Sequence, residues 1–421
     1  MHKDKKMEEK LESIIDKNGI SNPIKKPGSK NTATKKRDWL TISFLSLGIV
    51  FIFGGVTCCL IGLLKPEEEV LAVDFPEIPS SIEKEEVYSA LTGKVLSSPE
   101  LKNAPTFCIQ IPNGLDGARP QVGLTEAGVI FEAIAEAGIT RFAAIFQNPL
   151  SAVIGPIRSL RVYYLDWDTP FGCAIVHAGG AADALAAVRA GGYLDLTENY
   201  NYMYRGTDYS RRWNNLFTTA TNLKQFASDM GFSSSDLKGF PRLLPLEAER
   251  ERIDRLIAEK LDILEEAKEN TSEIIPEVGE INLRLGGATS FNVRYNYDAS
   301  SNSYRRSYAS GEAHEVYKCP DENLGEVNPE GSCNLVQMAP SVVIAMIVDE
   351  GRAADGYYES IKTTGSGKVY VFQNGLVIRG TWEKASKAEQ IKFLDENGVE
   401  ILLAPGQTFI SAVPGYGSVE F

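Results

Sequence analysis

Apolar and polar positions divide the chain into regions of different character. Residues 1–38 are polar and lysine-rich, with no sustained periodicity. Trp39 to Leu64 then contains no charged residue. As a helix this run would be about 39 Å long against a hydrocarbon core of ~30 Å, so it predicts one membrane span with some tilt. Residues 65–100 are rich in Pro, Glu and Ser and read as an extended stalk. Beyond them the pattern becomes strand-like, in short apolar runs separated by glycine turns.

In residues 101–280 that pattern predicts a mixed α/β domain. Thr106–Pro112 has strand composition, and Gly128–Ala137 and Ile139–Gln147 read as two strands joined at Ala137-Gly138. A plain hairpin across that turn pairs Glu136 with Ile139, Ile134 with Arg141 and Glu132 with Ala143, which leaves Arg141 between Glu132 and Glu136 on one face. A helical reading of the first segment also keeps the two glutamates together. Cys173–Ala178 is a buried-type strand, and Ala181–Ala190, Thr219–Gly231 and Leu246–Asn270 read as helices. Tyr200–Phe217 reads as a long aromatic loop.

Residues 281–421 alternate with period two. Ser290–Tyr297, Ser303–Tyr308, Ser341–Val348, Lys368–Gln373, Leu376–Trp382, Ile391–Leu394, Val399–Leu403 and Thr408–Val413 are predicted strands, and Asn374-Gly375 is the strongest hairpin signal. The expectation is a small, mainly antiparallel β domain. The fold class is therefore α+β or α/β, with the two domains behind one transmembrane helix.

Charge orients this arrangement. Residues 1–38 carry a local +5, whereas the rest of the chain carries −18. Basic residues before the apolar run and Glu67-Glu68-Glu69 after it place the N-terminus in the cytoplasm and the body outside the cell membrane. The reading is an uncleaved signal anchor; a cleaved signal peptide and a lipid on Cys58 or Cys59 are the alternatives. An acidic body argues against nucleic acid as a partner.

Arg119, Arg141, Arg158 and Arg161, with Glu132 and Glu136, are spaced through apolar sequence from Ala118 to Arg161. Charges among core residues are paired or line a site for something charged. Arginine presents planar donors to carboxylate or phosphate. His177, Gly179 and Gly180 lie between a strand and a helix start, where free backbone N–H groups form an anion nest or where glycine is needed for the turn alone. Arg205 and Arg211, with Tyr204 and Trp213, suit stacking on sugar rings or contact with a partner chain. Cys319 and Cys333 bracket a loop and are expected to form a disulfide outside the cell, whereas Cys108 and Cys173 read as buried free thiols. No metal-type spacing occurs, so neither a metal nor a cofactor is expected.

Several pieces together resemble the YerB-like family, bacterial extracytoplasmic domain pairs without a characterised function. They are Ala118–Leu124 (ARPQVGL), Phe131-Glu132, Glu136–Phe142 (EAGITRF), Ile154–Arg161 (IGPIRSLR), His177–Gly180 (HAGG), Tyr297-Asp298, Tyr304-Arg305, Gly365–Lys368 (GSGK) and Asn374-Gly375. The resemblance covers about residues 101–421. It implies a two-domain fold outside the membrane, commonly tethered as a lipoprotein, and carries over no reaction. One departure is Arg211-Arg212-Trp213-Asn214-Asn215, where the family shows an Arg followed by a Pro-His-Asn type segment.

Three functions compete on these grounds. The first is a module that binds an anionic envelope ligand, such as a cell-wall polymer, through an Arg/Glu-lined cleft. The second is a wall hydrolase with Glu132 and Glu136 as acid and base, or with His177 taking part. The third is a scaffold that docks an envelope protein. Binding or scaffolding is favoured over catalysis.

Overall fold

The strand-like runs and glycine turns of the body fold into layered sheets. The computed structural model describes residues 86–148, 150–207, 213–250, 252–253, 278–320 and 333–421. Residues 1–38, the proposed span 39–64, most of the stalk 65–100, and Arg211 lie outside the described residues. Among the described residues no helix is long and apolar enough to cross a membrane.

The N-terminal half supplies β1 (Phe107–Pro112), β2 (Val129–Glu136), β3 (Ile139–Phe146), β4 (Val153–Ile154), helix α1 (Val162–Asp168) and β5 (Ala174–His177). It continues with α2 (Ala182–Arg189), β6 (Leu194–Thr197), β7 (Met203–Arg205), β8 (Leu216–Thr219) and α3 (Ala220–Asp229). The C-terminal half begins with β9 (Glu280–Arg284), β10 (Val293–Asp298), β11 (Ser303–Tyr308), β12 (Glu315–Lys318), β13 (Asn334–Gln337) and β14 (Val342–Val348). It ends with β15 (Glu350–Arg352), β16 (Glu359–Ile361), β17 (Gly365–Gln373), β18 (Leu376–Lys384), β19 (Lys392–Asp395), β20 (Thr408–Pro414) and β21 (Ser418–Glu420).

Ten of these strands form one sheet in the order β19-β18-β17-β14-β20-β2-β3-β1-β5-β6. Its centre is the parallel pairing of β20 with both β2 and β14. The C-terminal half is not a separate small antiparallel sheet: strands from both halves share this one, and the described residues fall in one compact unit. The physical reason is visible in β2, β3, β14 and β20, which are buried along nearly their whole length and so need both faces of the sheet covered.

One face is covered by β11-β10-β9-β21 and by α3, through Tyr295, Tyr304, Tyr308 and Phe226 packed with Phe142 and Phe409. The other face carries α1 and α2, with Tyr163, Tyr164 and Trp167 against Phe131 and Ala133. Phe131 stacks on Trp167 at 5.3 Å. Full burial of such an apolar side chain contributes roughly 1.5–3 kcal/mol. The result is three layers.

Most predicted elements form as expected. Asn374 and Gly375 both take positive φ, 55° and 75°, as a two-residue turn between β17 and β18 requires. Thr219 caps α3 by accepting from the Asn222 N–H. The Tyr200–Phe217 loop instead contains β7, paired with β8. Val399–Leu403 is not a strand and makes only single bridges at Glu400 and Leu403. The helix predicted over Leu246–Asn270 begins at Pro245, and all of it beyond residue 253 lies outside the described residues.

Candidate functional site

The sequence places Glu132 and Glu136 on one face, and the structure separates them. The hairpin turns at Ala137 and Gly138 with φ of 49° and 75°, and Glu136 faces Ile139 as expected. Between Ile134 and Glu136 the register shifts by one at a β-bulge, so Ile134 faces Thr140, Ala133 faces Arg141 and Glu132 faces Phe142. One extra residue in a period-two strand sends the following side chains to the opposite face. The paired-glutamate arrangement proposed for a hydrolase is thereby corrected: the two carboxylates lie on opposite sides of the sheet.

Glu132 faces the small sheet and is fully buried. Its Oε2 lies 2.9 Å from Nη2 of Arg306, which is also fully buried, and its Oε1 accepts from Thr140 at 2.8 Å. Arg306 also donates to the Tyr295 hydroxyl (3.2 Å) and to Nδ1 of His314. His314 Nε2 then faces Oε1 of Gln121 at 3.1 Å. Burial, followed by the charges of Arg306 and Arg119, holds His314 well below the usual histidine range, so the ring is a neutral link. This is a closed network joining the two halves, not an open site.

Arg119 belongs to that side as well. Its Nε donates to the Asn113 carbonyl (3.0 Å) and side-chain Oδ1 (2.9 Å), and its guanidinium lies 3.6 Å from the Tyr308 ring centre. It does not join the other three predicted arginines.

Two of those three, Arg141 and Arg161, meet on the α1 face. Arg141 pairs with Glu136 Oε1, while Nη2 of Arg161 lies 2.5 Å from Glu136 Oε2. Burial alone would raise the Glu136 carboxyl, but the charges and hydrogen bonds of Arg141 and Arg161 outweigh it and hold it below its ordinary value. Both its oxygens are engaged, which makes it a counter-ion. The Tyr163 hydroxyl donates to the Ile134 carbonyl and that of Tyr164 to the Arg141 carbonyl, each at 2.7 Å, so α1 pins the backbone around the bulge. Arg161 also lies 4.4 Å from the ring centre of Tyr358, just before β16.

Arg158 completes the cluster. Its backbone N–H donates to the Gln110 carbonyl and its carbonyl accepts from the Ala178 N–H, so β1 and the residue after β5 hold its main chain. Its half-buried guanidinium has no hydrogen-bond or ion-pair partner among the described residues. Burial, then the like charges of Arg141 and Arg205, push it below its ordinary value, with Asp116 and Glu136 as the opposing neighbours. Nη1 of Arg141 and Nε of Arg161 are buried without an acceptor. The cluster thus has three guanidiniums and one shared carboxylate, with Arg158 as its half-exposed member, an arrangement suited to a carboxylate or phosphate.

The remaining predicted residues have local roles. His177 is buried, with Nδ1 2.8 Å from the Gly179 carbonyl and Nε2 2.8 Å from Asp195, so both ring nitrogens are engaged. Gly179 has φ +69°, and a Cβ on Gly180 would come within 3.1 Å of the Leu160 carbonyl. The pair therefore serves the turn, and Asp183 caps the Ala184 N–H beside it. Arg205 pairs with Glu198 (2.7 Å) and bonds Asn215 (2.8 Å). The Tyr204 hydroxyl is buried and its ring packs near Phe217, so it is not free to stack on a ligand.

Cys319 and Cys333 form the expected disulfide, S–S 2.03 Å. Cys108 and Cys173, read as free thiols, also form one. The parallel pairing of β1 with β5 brings them together, which sequence alone does not reveal.

Sequence reasoning missed Arg306, His314 and Tyr358. A signal existed for the first: Tyr304, Arg306 and Tyr308 alternate on one face of β11, so a charge stands among core aromatics. Two open clefts of about 620 and 630 Å³ lie on the C-terminal strands, lined by side chains of both signs, and the arginine cluster lines neither.

Comparisons with known proteins agree with this architecture. Residues 91–233 match the N-terminal domain, and residues 281–410 the C-terminal domain, of a family described as protein of unknown function (DUF3048). The chain is 27% identical over 343 residues to YerB of Bacillus subtilis (strain 168), whose name provisionally calls it a lipoprotein; the match covers 80% of this chain and 88% of that protein. The crystal structure of Bacillus subtilis YerB superposes with a TM-score of 0.60 at 22% identity, covering 80% of this chain and all of that one.

Proposed function

Since the chain belongs to the DUF3048 family, whose two domains it carries in order, we propose that it is a membrane-tethered extracytoplasmic protein that binds an anionic envelope ligand at Arg158. The observation that carries this reading is Arg158 itself. A half-buried guanidinium with no hydrogen-bond or ion-pair partner among the described residues, near Arg141, which shares the Glu136 carboxylate with Arg161, is free to take a carboxylate or phosphate. The hydrolase alternative loses its basis with the separation of Glu132 from Glu136.

Location outside the cytoplasm is supported by the two disulfides, which persist in oxidising compartments, and by the lipoprotein name of the Bacillus subtilis relative. Tethering through the apolar run 39–64, with the N-terminus inside, follows from the flanking charges.

The test is co-sedimentation of the full chain, in detergent micelles, with purified cell-wall polymer. Retention by the wild type that Arg158→Ala loses supports the reading. Equal retention by both assigns the contact elsewhere, and retention of neither leaves an envelope protein as the partner to seek by crosslinking.

A further inference from the structure

Tyr200, Trp213 and Tyr357 are 63%, 64% and 60% exposed. Exposed aromatic rings scattered singly are ordinary, but rings gathered around one polar site mark an interaction surface. The Ile157 N–H, next to Arg158, donates to the Leu216 carbonyl at 2.8 Å, and Nη1 of Arg205 donates to Asn215 Oδ1 at 2.8 Å, which brings the segments of Trp213 and Tyr200 to that of Arg158. Trp213 precedes Asn214, whose side-chain amide donates to the carbonyl of Asp116 at 3.1 Å, and Asp116 is an electrostatic neighbour of Arg158. The Tyr200 hydroxyl accepts from Arg205 Nε at 3.0 Å, and Arg205 is another such neighbour. Tyr357 packs edge-on against Tyr358 at 4.8 Å, and Tyr358 lies over Arg161.

We propose that the ligand is an acidic glycan: sugar rings lie on these exposed aromatic faces while a carboxylate on the chain is held by Arg158. The proposal rests on the anion-binding reading above and names its ligand class. Pyranose rings present flat C–H faces that pack on Tyr and Trp, while a polyol-phosphate chain offers no such face.

Charge at the rim points the same way. Asp116 and Asp355 are exposed and Glu198 partly so, and each lies near one of the arginines or its neighbour. A polymer with a phosphate at every unit would meet these carboxylates. A glycan with an acid on every second ring can put one carboxylate on Arg158 and carry neutral rings past the rim.

The test is calorimetric titration of the full chain, in detergent micelles, with three probes. They are a tetrasaccharide alternating glucuronic acid with N-acetylglucosamine, poly(glycerol phosphate), and neutral chitotetraose. The acidic tetrasaccharide is expected to bind about tenfold or more tighter than either other probe, and Trp213→Ala or Tyr357→Ala to weaken it by about tenfold. Arg158→Ala is expected to abolish it. Equal or tighter binding of poly(glycerol phosphate), or no effect of either aromatic substitution, overturns the glycan assignment while Arg158-dependent binding keeps the anion reading. Absence of any Arg158-dependent binding overturns both.

Discussion

Glu132 and Glu136, four residues apart on one strand, project from opposite faces of the central sheet because a bulge lies between Ile134 and Glu136. One seals a buried network with Arg306, and the other is the counter-ion of Arg141 and Arg161. The same residue type therefore does stabilising work on one face and site-forming work on the other.

The two glutamates are expected to respond differently to the same substitution. Glu132→Gln leaves Arg306 buried without a counter-charge and should cost about 3–5 kcal/mol, measured by urea unfolding. Glu136→Gln should cost less, because its cluster reaches solvent, and should raise affinity for an anionic ligand by releasing Arg141 and Arg161. A stability loss for Glu136→Gln as large as that for Glu132→Gln contradicts this division.

The disulfide between Cys108 and Cys173 closes a loop that contains Arg119, Arg141, Arg158 and Arg161. Non-reducing peptide mapping should recover Cys108–Cys173 and Cys319–Cys333 as the two pairs of the body. Cys173→Ser should lower stability by about 2–5 kcal/mol. Free thiols at Cys108 and Cys173 in protein purified from the envelope contradict the pairing.

Glu350 sets a dependence on pH. Burial, with the nearby Glu359 carboxyl adding to it and the Tyr416 hydroxyl opposing, pushes its carboxyl up to about 7 from an ordinary 4.5. A carboxyl that holds its proton more tightly folded than unfolded favours folding while protonated, so this contribution is lost as pH rises from 4.5 through about 7. Glu136, held below its ordinary value, works oppositely: its contribution is present above that value and lost as pH falls. Glu350→Gln should therefore raise the urea midpoint at pH 8 relative to the wild type, and bring no such gain at pH 5. An equal change at both values removes Glu350 as the cause.

Strand composition and turn residues made much of the fold legible. Asn374-Gly375 marks its hairpin because Asn and Gly tolerate positive φ at both positions, and Gly138 supplies one such position after Ala137. Register was not legible: a bulge leaves no mark in the apolar alternation, and it inverted the relation between Glu132 and Glu136. Long-range pairing was equally hidden. Nothing local in Thr408–Val413 says that β20 pairs in parallel with β2, or that Cys108 meets Cys173. At the candidate site the arginines were visible as charges in apolar sequence. Their division between two faces depended on the bulge and on the loop that carries Arg158.

The most direct test of the account compares thermal melts of the wild type and Arg158→Ala, each with and without soluble wall fragments. A ligand that binds only the folded state raises the melting temperature by mass action. A partly desolvated guanidinium beside two like charges contributes repulsion, not support, to the empty fold. Arg158→Ala should melt no lower than the wild type without fragments and fail to shift when they are added. A variant that melts lower without fragments, yet shifts with them as the wild type does, would make Arg158 a structural residue and not the anchor of an anionic ligand.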